Sequence, residues 1–146
     1  MNLGAFAIII SLRQKDCTGD KIDDLSGLFV RSPVCAFLML IFLLSLAGIP
    51  PTAGFIGKYF IFLALIETGY YTLAVVAVLY VVVAIYYYFR IVVAMFMKPS
   101  PDGRQLSISP GTWVALAVTA ILTLGIGILP NWVILKAEQA VRPFIQ

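Results

Sequence analysis

Hydrophobic and polar positions fall in long blocks along this chain, not in the short alternations of a soluble helix or strand. Met1 to Leu12 is apolar, Arg13 to Arg31 is polar and rich in Asp and Lys, and no charged side chain then occurs from Ser32 to Gly57. After Lys58 the chain is again uncharged from Tyr59 to Ile66, and two further apolar blocks cover Tyr70 to Met97 and Gly111 to Leu135. Apolar stretches near 20 residues read as membrane-spanning helices. The pattern therefore predicts an all-α, polytopic transmembrane bundle: a partial helix over 1–12, a broken helix over 33–66, and helices over 70–97 and 111–135. Within the polar connection, Asp23 to Phe29 has the character of a short amphipathic surface helix, with Asp at its favourable N-terminal end.

The long run from Pro33 to Ile66 is the informative one. As one straight helix it would be about 51 Å long at ~1.5 Å per residue, against a hydrocarbon core about 30 Å thick. Gly48, Pro50, Pro51, Thr52 and Gly54 lie in its middle, where two prolines remove backbone donors and disfavour continuous helix. The expectation is two half-helices, roughly Pro33–Ala47 and Ala53–Ile66, joined by unwound chain. At membrane depth such chain lies against protein or lines a hydrated path, and the Ser45 and Thr52 hydroxyls are placed to satisfy its freed backbone groups.

Lys58 follows one turn later. If Glu67 marks the interface, Lys58 lies about 14 Å inside it at ~1.5 Å per residue, near the midplane. An intramembrane ion is by default a functional group. Low dielectric and the positive end of the second half-helix both work against its ammonium form, as a proton-exchanging group needs.

Composition agrees and excludes other classes. The chain is 62% hydrophobic and 12% charged, where an ordinary soluble domain is about 25% charged. Cys17 and Cys35, with no histidine, have no zinc-finger spacing and supply too few thiolates for a four-cysteine iron–sulfur cluster. The ten basic residues are scattered and form no nucleic-acid patch. They read as topology signals instead: Arg13, Lys15, Lys21, Arg31, Arg90, Lys98 and Arg104 fall on one side, Lys136 and Arg142 on the other, so the first side faces the cytoplasm. Trp113 and Trp132 mark interfaces. Tyr86-Tyr87-Tyr88-Phe89-Arg90 reads as interfacial packing. Glycine-rich phosphate loops, nucleophile elbows and His motifs are absent from the sequence, no cleavable signal peptide is apparent, and the short first helix suggests a fragment.

The segment Phe42-Leu43-Leu44-Ser45-Leu46-Ala47-Gly48-Ile49-Pro50-Pro51-Thr52-Ala53-Gly54-Phe55-Ile56-Gly57-Lys58 resembles the broken helix of the antiporter-like membrane subunits of respiratory complex I and related NAD(P)H–quinone oxidoreductases. Met1-Asn2-Leu3-Gly4-Ala5-Phe6-Ala7, Asp24-Leu25-Ser26-Gly27-Leu28 and Tyr86-Tyr87-Tyr88-Phe89-Arg90 are similar to the subunit N, or chain 2, branch. The resemblance implies that residues 1–146 are a C-terminal fragment of a proton-translocating domain, with Lys58 on its proton path. It implies a membrane-embedded subunit of a quinone-reducing translocase, in a bacterial plasma membrane or a thylakoid or other energy-transducing membrane. Its partners would be other membrane subunits, and flavin, iron–sulfur clusters, NADH and quinone would be handled by partner subunits, with no cofactor, metal or catalytic residue in this chain. The alternatives are a subunit of a cation/proton antiporter or membrane-bound hydrogenase, and a non-conducting structural element.

Overall fold

The computed structural model describes residues 1–13, 21–99 and 108–141, all of whose regular structure is helical. Helix α1 is Asn2–Arg13, and a 3-10 turn, Ile22–Leu25, precedes α2, Leu28–Arg31. The longer helices follow: α3 Pro33–Ala47, α4 Ala53–Glu67, α5 Tyr71–Met97, α6 Pro110–Ile128 and α7 Pro130–Val141. Prolines open α3, α6 and α7, positions where a missing N–H is no loss. Ser109 caps α6, its hydroxyl accepting from the Thr112 N–H at 3.3 Å.

Helix α5, with 27 residues, is about 40 Å long at ~1.5 Å per residue, more than a membrane needs. Helices α3 and α4 have 15 residues each, about 22 Å, too short to cross singly. Together they form the discontinuous helix, and the break expected in the long apolar run is present, from Gly48 to Thr52.

Helix α3 is the hub, packing on α1, α2, α5 and α6. Phe42, Met39, Ala36 and Leu43 of α3 join Ile8 and Leu12 of α1, Met95 of α5, and Leu116 and Ala120 of α6 in one core. Gly4 of α1 lies so close to the Phe42 ring that any side chain at Gly4 would overlap it. At the end bearing the polar connection, Phe29 stacks on Phe96 with ring centroids 5.2 Å apart and meets Phe37 edge-on at 5.9 Å, fastening α2 to α5 and α3. Helix α5 nevertheless carries Arg90 as its one charged residue, and over its first half it is apolar all round, with Val75, Val78, Leu79 and Val82 facing outward. A helix of that kind belongs in lipid or against other membrane helices, and the chain is an integral membrane protein.

Two expectations are corrected. The helix expected over Gly111–Leu135 ends at Ile128: Leu129 leaves helical geometry at φ −119° and ψ 62°, and Pro130 starts α7. Proline both lacks the donor that would continue α6 and disfavours helix at the residue before it. Trp132 therefore stands exposed on α7, not on the helix that carries Trp113. The single amphipathic helix expected over Asp23–Phe29 is a 3-10 turn and a separate short helix. Gly27 divides them at φ 65°, and its N–H donates to the Ala94 carbonyl at 3.2 Å, drawing the chain onto α5.

Asp23 and Lys98 form an ion pair of 2.8 Å, which brings the two polar connections to the same end of the bundle. Lys15, Cys17, Arg104 and Arg142 lie outside the described residues.

Candidate functional site

At the break, α3 ends in a Schellman motif. Gly48 takes the left-handed conformation at φ 83°, the Gly48 N–H donates to Ser45 O at 3.1 Å and the Ile49 N–H to Leu44 O at 2.9 Å. Glycine suits that position because it carries no Cβ. The motif leaves the carbonyls of Leu46 and Ala47 to be satisfied. Both accept from Lys58 Nζ, each at 2.9 Å. A side chain from the second half-helix thus completes the end of the first.

Helix α4 closes with the same backbone motif at Gly69, φ 78°, where Tyr70 N–H donates to Leu65 O at 2.9 Å and Gly69 N–H to Ile66 O at 3.1 Å. The expected difference lies in depth: with Glu67 at the interface, α4 would end where water supplies remaining partners, and α3 would end within the hydrocarbon.

Two further polar pairings close the break, one between the half-helices and one within the connecting segment. The hydroxyl of fully buried Ser45 accepts the Gly54 N–H at 3.1 Å, one of the unsatisfied donors of the first turn of α4. The hydroxyl of Thr52, also buried, donates to Ile49 O at 2.7 Å. Gly54 sits against the Ser45 carbonyl with no room for a Cβ. Pro50 and Pro51 are exposed on the outer side of the break and joined by a cis peptide, with the Pro51 carbonyl against Gly127 of α6. Gly48, Thr52, Gly54 and Lys58 therefore converge, while the prolines shape the chain from outside.

Sequence reasoning placed Lys58 near the positive end of α4. The structure corrects the electrostatics: Nζ reaches back to the C-terminal end of α3, where the helix dipole is negative and favours a cation. Low dielectric opposes that attraction, and the two influences meet on one group. The sequence signal was present in the spacing, a lysine ten positions after a helix-ending glycine. Gly127 was also missed; its signal is the pair of glycines, Gly125 and Gly127, between the bulky apolar residues that end the helix.

Beside Lys58, a cavity of about 320 Å³ opens between α4 and α5, lined by Phe62, Val76, Ala77 and Tyr80 among others. Among the described residues that line it, Lys58 and Tyr80 bring the polar side-chain groups. Cys35 is buried in α3, and among the described residues no group of three His, Cys, Asp or Glu side chains is arranged to hold a metal.

These features define an integral membrane protein of the discontinuous-helix type, with a lysine bridging the discontinuity. The chain belongs to the family described as NADH:quinone oxidoreductase/Mrp antiporter, TM, whose model matches residues 1–98. It is 60% identical over 131 residues to NADH-quinone oxidoreductase subunit N 1 of Koribacter versatilis, covering 90% of this chain and 26% of that protein. It is 61% identical over 132 residues to NADH-quinone oxidoreductase subunit N 2 of Solibacter usitatus, covering 90% and 27%. Among solved structures, a chain of respiratory complex I from Thermus thermophilus with bound aureothin matches with a TM-score of 0.68 and 31% identity, over 75% of this chain and 26% of that one. The chain spans about a quarter of the length of these relatives.

Proposed function

We propose that this chain is part of a proton-translocating membrane subunit of a bacterial NADH–quinone oxidoreductase, with Lys58 as a relay that takes up and releases the transported proton. The observation that carries this reading is the pair of 2.9 Å bonds from Lys58 Nζ to the Leu46 and Ala47 carbonyls at the helix break. An ammonium group has three N–H donors, and the neutral amine retains two. Both carbonyls stay satisfied in either state, so a proton is exchanged at the third position without stranding polar backbone at depth, where each orphan costs several kcal/mol. The break serves as the hinge or water site that delivers that proton.

Redox chemistry in partner subunits, which hold the flavin, iron–sulfur clusters, NADH and quinone sites, changes the field at Lys58. A unit charge appearing about 10 Å away contributes ~1.7 kcal/mol at an effective dielectric near 20, roughly a fifteen- to twentyfold change in proton affinity. The names of the relatives, NADH-quinone oxidoreductase subunits at 60% and 61% identity, support the oxidoreductase over the cation antiporters of the same family.

The test uses the full-length subunit within its complex, reconstituted in vesicles. Lys58→Ala and Lys58→Arg both assemble and both lower the protons moved per electron pair, arginine because it does not release its proton in the working range. Wild-type stoichiometry in both variants refutes the relay and leaves Lys58 as the cap of α3.

A further inference from the structure

A second charged constellation lies at the far end of α5. Lys98 is 18 positions beyond Tyr80, the α5 residue beside Lys58's cavity, or about 27 Å along the helix at ~1.5 Å per residue. Here the 3-10 turn leans on α5, held by the Gly27 N–H to Ala94 O bond and by the Asp23–Lys98 pair. Between them is a cavity of about 610 Å³, lined by Lys21, Asp23, Tyr86, Phe89, Arg90 and Lys98, together with apolar neighbours. Its size is that of a small-molecule site.

Among the described residues, three cations share this cavity with one carboxylate. Lys98 is matched by Asp23 at 2.8 Å, so Lys21 and Arg90 supply positive charge in excess. Their reach into the cavity is visible in Asp23, whose carboxyl is held below the usual range by Lys98 first and then by the fields of Arg90 and Lys21. Asp24 does not line the space; its carboxylate accepts the Lys21 backbone N–H at 3.2 Å. Below the cations the lining changes character. Tyr86, Arg90 and Val93 recur at helical spacing on one face of α5 with Phe89 beside them, and Tyr86 and Phe89 are exposed. An arginine two turns below the surface lysine extends its head toward the interface along such a face.

We propose that this cavity binds the phosphate headgroup of an anionic phospholipid, with Lys21 and Arg90 holding the phosphate and Tyr86 and Phe89 bedding an acyl chain. Phospholipid is the occupant because the site joins excess positive charge at the membrane surface to an apolar floor that runs into the hydrocarbon. The cytoplasmic leaflet supplies the complementary negative charge. Free phosphate would use only the upper half.

The experiment uses the full-length subunit in its complex, in nanodiscs, with spin-labelled phosphatidylglycerol and phosphatidylcholine as probes. The wild type selects phosphatidylglycerol, Lys21→Gln and Arg90→Gln each lower that selectivity about fivefold, and Arg90→Lys retains most of it. Millimolar inorganic phosphate leaves the bound lipid in place. The proposal is overturned by equal binding of both lipids to the wild type, the result when another protein segment fills the cavity. It is also overturned by selectivity unchanged in both glutamine variants of assembled complexes, or by phosphate displacing the lipid as effectively as unlabelled phosphatidylglycerol.

Discussion

Replacing Gly48 with alanine strikes the backbone and the lysine at once. At φ 83° an L-residue costs about 1–2 kcal/mol in the left-handed region. The added methyl would also lie 2.6 Å from Lys58 Cδ and 3.1 Å from Nζ. The lysine side chain is flexible, so it moves instead of clashing, and in moving it leaves the Leu46 and Ala47 carbonyls. Hydrogen bonds from a charged donor contribute about 1.5–3 kcal/mol each, and the half-buried position of Lys58 argues for the lower end. Gly48→Ala is therefore expected to destabilise by roughly 3–5 kcal/mol, and to lower proton stoichiometry although Lys58 is intact. In a Lys58→Ala background only the backbone part remains, so the two substitutions are non-additive by about 2–3 kcal/mol. Thermal unfolding of the solubilised complex reads the cycle, with labelling of buried Cys35, followed by mass spectrometry, as the local probe. Gly57→Ala is the control, since a Cβ there meets nothing within 4 Å in this chain. An additive cycle, together with wild-type proton stoichiometry in Gly48→Ala, refutes the coupling of lysine to cap.

Gly54→Ala forces α4 away from the Ser45 carbonyl and loses the Gly54 N–H to Ser45 bond; overpacking of this kind costs about 1–3 kcal/mol. It should release Cys35 to thiol reagents at lower temperature than wild type, and an unchanged midpoint counts against the close approach. The Asp23–Lys98 pair carries a pH signature. Because the Asp23 carboxyl lies below its ordinary range, chiefly through its hydrogen bond to Lys98, the pair's stabilisation is fully present above the ordinary carboxylate range and is lost as pH falls through the depressed value. Hydrogen-exchange protection of the Ile22–Leu25 turn should be level near neutrality, drop only in acid, and lose that acid dependence in Lys98→Gln; a drop centred near neutral pH contradicts this assignment.

Much of the architecture was legible because membrane helices are written in block lengths. The break between α3 and α4 followed from a run too long for the bilayer with two prolines in its middle, and the lysine stood out as the lone ion. The end of α6 was also written, in Pro130, but the apolar residues on either side outweighed it in a reading by hydropathy. Gly27 was passed over for a related reason: a positive φ is decided by what the amide must reach, here Ala94, which is distant in sequence. The acceptors of Lys58 were the least visible part of the site. They are backbone carbonyls, identical in every residue, and only the Schellman geometry at Gly48 shows which two remain for the lysine.

Gly127 has one more consequence. It is the last residue but one of α6, and it touches the Pro51 carbonyl and the Thr52 backbone; two residues later the chain turns at Leu129 into α7. The corner between α6 and α7 is thus a fulcrum set against the break, with α7 as its arm. A displacement of α7 would reach Pro51 and Thr52 through this backbone contact, a mechanical route to the discontinuity separate from the charge on Lys58.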